Sequence, residues 1–110
     1  MSSRGNQMSG RSSRAKGGAA EREVVAILRE AGYDAHRTPH SGALSWLPGD
    51  VTGSPWFVEV KRQEQVRICQ WCEKAEEEAE GKVALVIFRR SREPWRVCLL
   101  LDDFLRVMES

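Results

Sequence analysis

The chain of 110 residues lacks the long apolar runs that membrane proteins need. No stretch approaches the ~18 consecutive apolar residues of a transmembrane helix. The N-terminus also lacks the hydrophobic region of a secretory signal peptide, and no internal repeat is evident. We therefore expect a soluble, cytoplasmic protein with no membrane partner. Its length is sufficient for one domain with one hydrophobic core.

The chain also lacks an excess of charge of one sign, since 17 basic and 16 acidic residues give a net charge of +1. Composition alone therefore does not indicate a nucleic-acid partner. The distribution is uneven, because residues 1–20 contain four basic residues and no acidic one. We predict a flexible basic arm over 1–16, or a leader without function, followed by a single domain over 17–110. The acidic run 73–80 is expected on a solvated helix face.

A carboxylate and a lysine share one predicted strand. Aromatic and β-branched residues over 56–61 predict a strand of period two, which places Glu59 and Lys61 on the same face. Asp50 opens another short β-like run, and the residues 53–55 form a turn signal. If the two runs pair as a hairpin, Asp50 comes close to Glu59. The alternative is an ordinary charge pair on a solvated strand and a simple turn aspartate.

Two carboxylates at one point suit a hard cation such as Mg²⁺, which keeps coordinated waters for a substrate phosphate. Such a cation can acidify a bound water and stabilise a leaving oxygen. A neighbouring lysine can orient the water or bind non-bridging oxygens. The pattern favours metal-dependent chemistry on a phosphate, although a D…ExK spacing this loose also arises by chance.

The first predicted helix carries a further acidic candidate. It runs to about Ala31, with Gly32 as its stop signal, and its apolar stripe places Glu21 at the edge of the buried face. An unpaired charge there is costly, and a nearby metal site would explain it. An exposed first-turn glutamate favoured by the helix dipole is the alternative.

The remaining pattern predicts an α/β sandwich with a mixed central sheet. We expect helix 19–31, strand 33–37, loop 38–49, strands 50–53 and 56–61, helix 67–80, strands 82–89 and 95–101, and helix 102–109. The apolar run 83–88 is typical of a strand buried on both faces. Phe104, Leu105 and Met108 of the last helix are expected to pack on the sheet.

These motifs follow the order of a known family. The chain resembles the PD-(D/E)xK nuclease superfamily, and within it the archaeal-type Holliday-junction resolvases and their small phage or prophage relatives. The segments 16–23, 38–42, 48–50 and 59–61 resemble the opening helix, the serine-containing loop, the metal-binding aspartate and the ExK. One departure is Gly49, which separates the proline from the aspartate. The resemblance spans about Lys16 to Phe104.

The resemblance implies a restriction-endonuclease-like α-β-β-β-α-β-β-α core. It implies a Mg²⁺- or Mn²⁺-dependent endodeoxyribonuclease that acts on branched DNA, in recombination and repair, as a homodimer. The implied catalytic residues are Glu21, Asp50, Glu59 and Lys61, and the implied metal ligands are Asp50, Glu59, the Val60 carbonyl and Glu21. The expected DNA contacts are Lys16, Arg37, His40, Ser41, Arg62 and Gln70, with Gln63 and Gln65 as rivals for the last.

Several alternatives stay open. The same core could serve a nicking, flap-specific or duplex-cutting phage enzyme, or a non-catalytic DNA-binding module on a nuclease scaffold. The basic turn 89–92 could grip a phosphate backbone or merely aid solubility. Trp46 with Leu47, and Trp71, are apolar residues that a small monomer would struggle to cover, which favours a dimer interface. Trp46 could instead wedge against DNA or close the pocket.

The cysteines suggest a less favoured reading. Cys69 and Cys72 form a CxxC, which with His36 and His40 could make a zinc set. We expect both cysteines in mid-helix, with Cys72 as a small core residue, because apolar residues recur around it at helical spacing. A redox CxxC normally follows a strand at a helix N-terminus. Cys98, inside an apolar run, is expected in the core.

Overall fold

The first helix ends where the glycine signal predicts. The structure is a computed structural model that describes residues 18–38 and 49–109, and helix α1 covers residues 18–30 of this part. Gly32 has a φ of 107°, which only glycine adopts at little cost. The N–H of Gly32 donates to the Arg29 carbonyl and that of Tyr33 to the Leu28 carbonyl, both at 3.0 Å. This pair of bonds is a Schellman motif, which satisfies carbonyls at the helix end.

A five-stranded mixed sheet forms the centre of the molecule, in the order β1-β2-β3-β4-β5. The strands are β1 (His36–Arg37), β2 (Val51–Thr52), β3 (Phe57–Arg62), β4 (Ala84–Arg89) and β5 (Arg96–Cys98). Among these strands of the described residues, only β3 and β4 pair in parallel, and a parallel pair needs a crossover. Helix α2 (Ile68–Glu78) provides it, and α3 (Leu101–Glu109) follows β5. The predicted α/β fold with a mixed central sheet is confirmed.

The sheet is buried on both faces because its central strands alternate between two cores. Val58 and Val60 of β3 join one core with α1, whereas Phe57 joins a second core with α2. In β4, Leu85 belongs to the first core and Val86 to the second. The predicted alternation of β3 is therefore present in the structure, and Glu59 and Lys61 lie on the α2 face with Phe57.

Helix α1 is also held to the sheet by polar contacts at its flank. The Arg89 guanidinium donates to Glu23 at 3.2 Å, and the indole N–H of Trp95 donates to the same carboxylate at 3.3 Å. Arg89 lies over the Trp95 ring, 5.0 Å from its centroid. These contacts tie α1 to the β4–β5 side of the sheet.

The predicted packing of α3 is wrong. Phe104, Leu105 and Met108 are exposed, and the buried residue of this helix is Asp103. A charged side chain can occupy that position because Arg106 forms an ion pair with it.

No helix in the described ranges is both long and apolar enough to cross a bilayer.

Candidate active site

The backbone of Asp50 is fixed where three strands meet. Its N–H donates to the Val58 carbonyl at 2.7 Å, and its own carbonyl accepts from the Thr38 N–H at 2.9 Å. Val51 pairs with Val58 across the β2–β3 hairpin, so Asp50 and Glu59 are the next residues along the two strands. Residue 50 is thereby anchored both to β3 and to the end of β1.

The Asp50 side chain accepts a hydrogen bond from β3 at a position where the backbone of β2 provides no acceptor. Its Oδ2 accepts the Val60 N–H at 2.8 Å, a donor that lies beyond the last bridged pair of the two strands. The register places the same carboxyl group beside Glu59, and it raises the pKa of that residue. The hairpin thus brings together the two carboxyl groups that the sequence placed in separate β runs.

Glu59 is an unusual carboxylic acid because it is mostly removed from water beside a second carboxylate. The pKa of Glu59 is raised from 4.5 to about 8. Burial is the largest cause, and the charge and hydrogen bonding of Asp50 also contribute to this rise. Glu78 adds to this rise in pKa, whereas Lys61 opposes it. At neutral pH the isolated protein therefore keeps Glu59 largely protonated.

Lys61 projects from the same face of β3 and is positioned by an aromatic residue of α2. Its Nζ lies 5.9 Å from the centroid of the Trp71 ring, within the range of a cation–π contact. Trp71 in turn packs against Phe88, with ring centroids 6.0 Å apart. The sequence alone assigned Trp71 no role in the site. Its place among the apolar residues that recur at helical spacing around Cys72 was the signal that it faces the sheet.

Glu21 is buried, as its helical position suggested, and it pairs with a cationic side chain. It is 9% exposed, and the Arg37 Nε donates to its Oε1 at 3.1 Å. Within residues 18–38 and 49–109, no three His, Cys, Asp or Glu side chains are grouped so that they could hold one metal ion. The role of Glu21 in a metal shell stays a prediction, and Arg37, an expected phosphate contact, is engaged with it.

The other expected DNA contacts fall into two groups. Arg62 ends β3 opposite Arg89 of β4, and its buried Nε has no hydrogen-bond partner among the described residues. Gln70 is exposed near the start of α2, and its rivals Gln63 and Gln65 are also exposed, so exposure does not choose between them. Lys16, His40 and Ser41 lie outside the described residues, as do Trp46 and Leu47.

Two cysteine predictions are wrong. Cys69 lies in the first turn of α2, which begins at Ile68, rather than in mid-helix. Cys98 is half-buried rather than in the core, and its Sγ lies 3.2 Å from that of Cys72. Burial, followed by this contact, raises the pKa of the Cys72 thiol to about 12, which disfavours the thiolate needed for redox chemistry.

The zinc set that two histidines and the CxxC offered as a less favoured alternative is not assembled in the part of the chain that the structure describes. Cys69 is exposed and Cys72 faces Cys98. The ring nitrogens of His36 contact Arg29 and Asp34, each at 3.2 Å, and His40 lies outside the described residues.

We predict that the metal-free protein loses stability as pH rises, because of Glu59. Its folded pKa is raised above the unfolded value of 4.5, so the native state binds the extra proton between pH 4.5 and about 8. This contribution is complete below pH 4.5 and is lost as pH passes through about 8. Urea unfolding in chelator should show Glu59→Gln gaining stability over wild type as pH increases.

The control for that experiment is Glu78→Gln, which removes an exposed carboxylate near Glu59. Its stability relative to wild type should vary with pH much less than that of Glu59→Gln. A difference between wild type and Glu59→Gln that stays constant from pH 5 to 9 would contradict the raised pKa of Glu59.

We also predict that Gly49→Ala damages both stability and the site. Gly49 has a φ of 67°, and a Cβ there would lie 2.6 Å from the Val58 carbonyl oxygen, which Asp50 binds. Gly81→Ala is the control, since its φ of 87° is similar but nothing lies within 4 Å. Backbone strain should cost each variant about 1–2 kcal/mol, and crowding should cost Gly49→Ala roughly 1–3 kcal/mol more in urea unfolding. Equal losses would contradict the close approach.

Comparison with known proteins places this site in context. The family model described as "Phage putative PDDEXK endonuclease" matches residues 12–109. Among solved structures the chain is similar to Hjc, a Holliday junction resolvase from the archaeal hyperthermophile Archaeoglobus fulgidus, with a TM-score of 0.57 and 23% identity over 76% of each chain. At that identity the likeness shows the fold alone. The comparison with curated proteins gives no match.

Proposed function

The chain belongs to the phage PDDEXK endonuclease family, and on this basis we propose that it is a divalent-cation-dependent endonuclease that cuts branched DNA as a homodimer. The observation that carries the proposal is the approach of Asp50 to Glu59 on the face that also holds Lys61. These are the three positions that the family resemblance assigns to metal binding and catalysis.

The residues present fit a cation of the Mg²⁺ or Mn²⁺ type. Asp50 and Glu59 would hold it, with the Val60 carbonyl as a further oxygen ligand and Glu21 directly or through water. Two carboxylates leave room for waters and a substrate phosphate, which Mg²⁺ sites usually retain. When bound, the cation lowers the pKa of a coordinated water and offsets charge on the phosphate. The raised pKa of Glu59 supports the fit, because burial and then the neighbouring charge of Asp50 disfavour a second negative charge there, and Lys61 offsets this only in part. A bound cation would supply the missing positive charge.

Lys61 would position the attacking water and stabilise the negative charge that develops on the phosphate oxygens. Its contact with Trp71 supports this role, since a stacked ammonium is restrained in direction without losing its charge. A carboxylate as direct partner would instead neutralise it. The Trp71 ring therefore acts as a positioning group for the lysine.

Contacts with the DNA backbone are assigned to Arg62, Arg37 and Gln70, together with Lys16, His40 and Ser41 outside the described residues. Arg62 has the best structural support, because its buried Nε lacks a partner in the described ranges and a phosphate oxygen would satisfy it. Branched DNA is the proposed substrate because the fold is similar to that of a Holliday junction resolvase. Two opposed strands require two sites, which a symmetric homodimer supplies.

We expect Asp50→Ala, Glu59→Ala and Lys61→Ala each to reduce cleavage by more than about 100-fold, since each removes a group from the reacting centre. DNA affinity in chelator should be unchanged in Glu59→Ala, whose carboxyl group is largely protonated at neutral pH. It should be unchanged or higher in Asp50→Ala, because a negative charge that repels phosphate is removed. Cleavage rates are measured on labelled DNA with and without chelator, and affinity by fluorescence anisotropy in chelator.

Glu78→Ala is the matched control for charge, because it removes a carboxylate that acts on Glu59 from outside the site. Its cleavage rate should stay within a few-fold of wild type. Retained cutting by both Asp50→Ala and Glu59→Ala would overturn the assignment of the site. A wild-type protein that binds DNA but never cuts it in Mg²⁺ or Mn²⁺ would indicate a non-catalytic module.

Substrate geometry is tested separately with a four-way junction, a flap and a linear duplex of the same sequence. The proposal predicts paired, symmetric cuts in the junction at a rate at least about tenfold above that for duplex. Denaturing gels that resolve both labelled strands measure this. Faster single cuts in the flap or duplex would assign the same chemistry to a flap-specific, nicking or duplex-cutting enzyme instead.

A further inference from the structure

Helix α3 exposes its apolar side chains to solvent and buries an aspartate. Its exposed side chains are Leu101 at 70%, Phe104 at 43%, Leu105 at 51% and Met108 at 67%, whereas Asp103 is only 6% exposed. A surface helix that only covered its own sheet would show the reverse arrangement, with apolar residues inward. The apolar face of α3 is therefore directed away from the core of the single chain.

The four exposed residues form one continuous stripe. They stand at positions i, i+3, i+4 and i+7, which is the spacing of a helix seam that packs against another helix. Val97 of β5 and Leu100 just before α3 are also exposed, at 53% and 48%. Together these six side chains form what we call the α3 surface.

The α3 surface is as large as the largest apolar patches that monomers expose to water. Six large side chains, each about half exposed, present on the order of 600 Å² of apolar area, the upper end for patches on monomers. A stable interface buries about 800 Å² per partner, and its rim is polar. Arg96 and Asp102, both exposed beside the stripe, would supply part of such a rim.

Other segments of the chain are poor covers for this surface. Residues 1–17 contain only two large apolar residues, both methionine, among serines, glycines and basic residues. The segment 39–48 follows β1, which forms the sheet edge opposite to β5. A separate copy of the chain, by contrast, carries a surface of matching size and chemistry.

We propose that the α3 surface is the homodimer interface, in which the α3 helices of two copies pack against each other across a two-fold axis. In such an isologous contact each stripe faces its own equivalent, so apolar residues meet apolar residues throughout. The choice of a second copy as the occupant rests on the proposed function, because cutting two opposed DNA strands requires two sites. The interface would bring the two sites together in one dimer.

The test replaces Leu105, near the middle of the stripe, with lysine. Ile27→Lys is the matched control, because Ile27 is a helical apolar residue of similar exposure, 47%, on α1. Sedimentation equilibrium over a concentration series should give a dimer mass for wild type and Ile27→Lys. Leu105→Lys should weaken dimerisation by at least about 100-fold. Leu105→Ala, which adds no charge, should weaken it less, and circular dichroism should show every variant folded.

A wild-type protein that stays monomeric at high micromolar concentration would overturn the proposal, and so would a folded Leu105→Lys variant that remains a tight dimer. The cleavage assay separates this result from the proposed function. If the interface is correct, monomeric Leu105→Lys should still nick linear duplex in Mg²⁺ but lose paired cuts in a junction. A dimeric wild type without any nuclease activity would refute the function and leave the interface standing.

Discussion

The site depends on one hydrogen bond, between the N–H of Val60 and the carboxylate of Asp50 at 2.8 Å. The short strand β2 pairs with β3 only at Val51 and Val58, so the next donor on β3 needs an acceptor that the backbone of β2 does not provide. A side chain that supplies the acceptor must lie against β3, beside Glu59. The same bond that satisfies the strand therefore holds two carboxyl groups together, which is costly without a cation or a shared proton.

The surrounding layers make this arrangement rigid. Val58 and Val60 are buried against α1, and Phe57 is buried against α2, so β3 cannot rotate to relieve the crowding of Glu59. Trp71 of α2 restrains Lys61 on the same face. Burial on both sides of one strand thus fixes the directions of a carboxylate and an ammonium at once, which is the pre-organisation that a phosphodiester-cleaving site needs.

Local sequence patterns predicted the helices, the strands and the β2–β3 hairpin. They did not predict which side chains far apart in the chain contact each other. Period-two alternation over 56–61 and the turn signal at 53–55 were enough to predict that Asp50 and Glu59 are neighbours, and Gly32 marked the end of α1. The stripe of α3 was visible as well, but periodicity does not say which way a stripe faces, and the prediction that it packs on the sheet was wrong. The contacts of Glu21 with Arg37 and of Cys72 with Cys98 join residues 16 and 26 positions apart, and no local signal reports such pairs.

The raised pKa of Glu59 has a consequence for how the proposed cation would bind. With a pKa of about 8, the carboxyl group must release its proton when a metal ion coordinates it, so ion uptake and proton release are one linked equilibrium. Below that pH, each unit of acidification should lower the apparent affinity for the ion by roughly tenfold. Acidity alone would thus keep the proposed site free of its cation, whatever the concentration of protein.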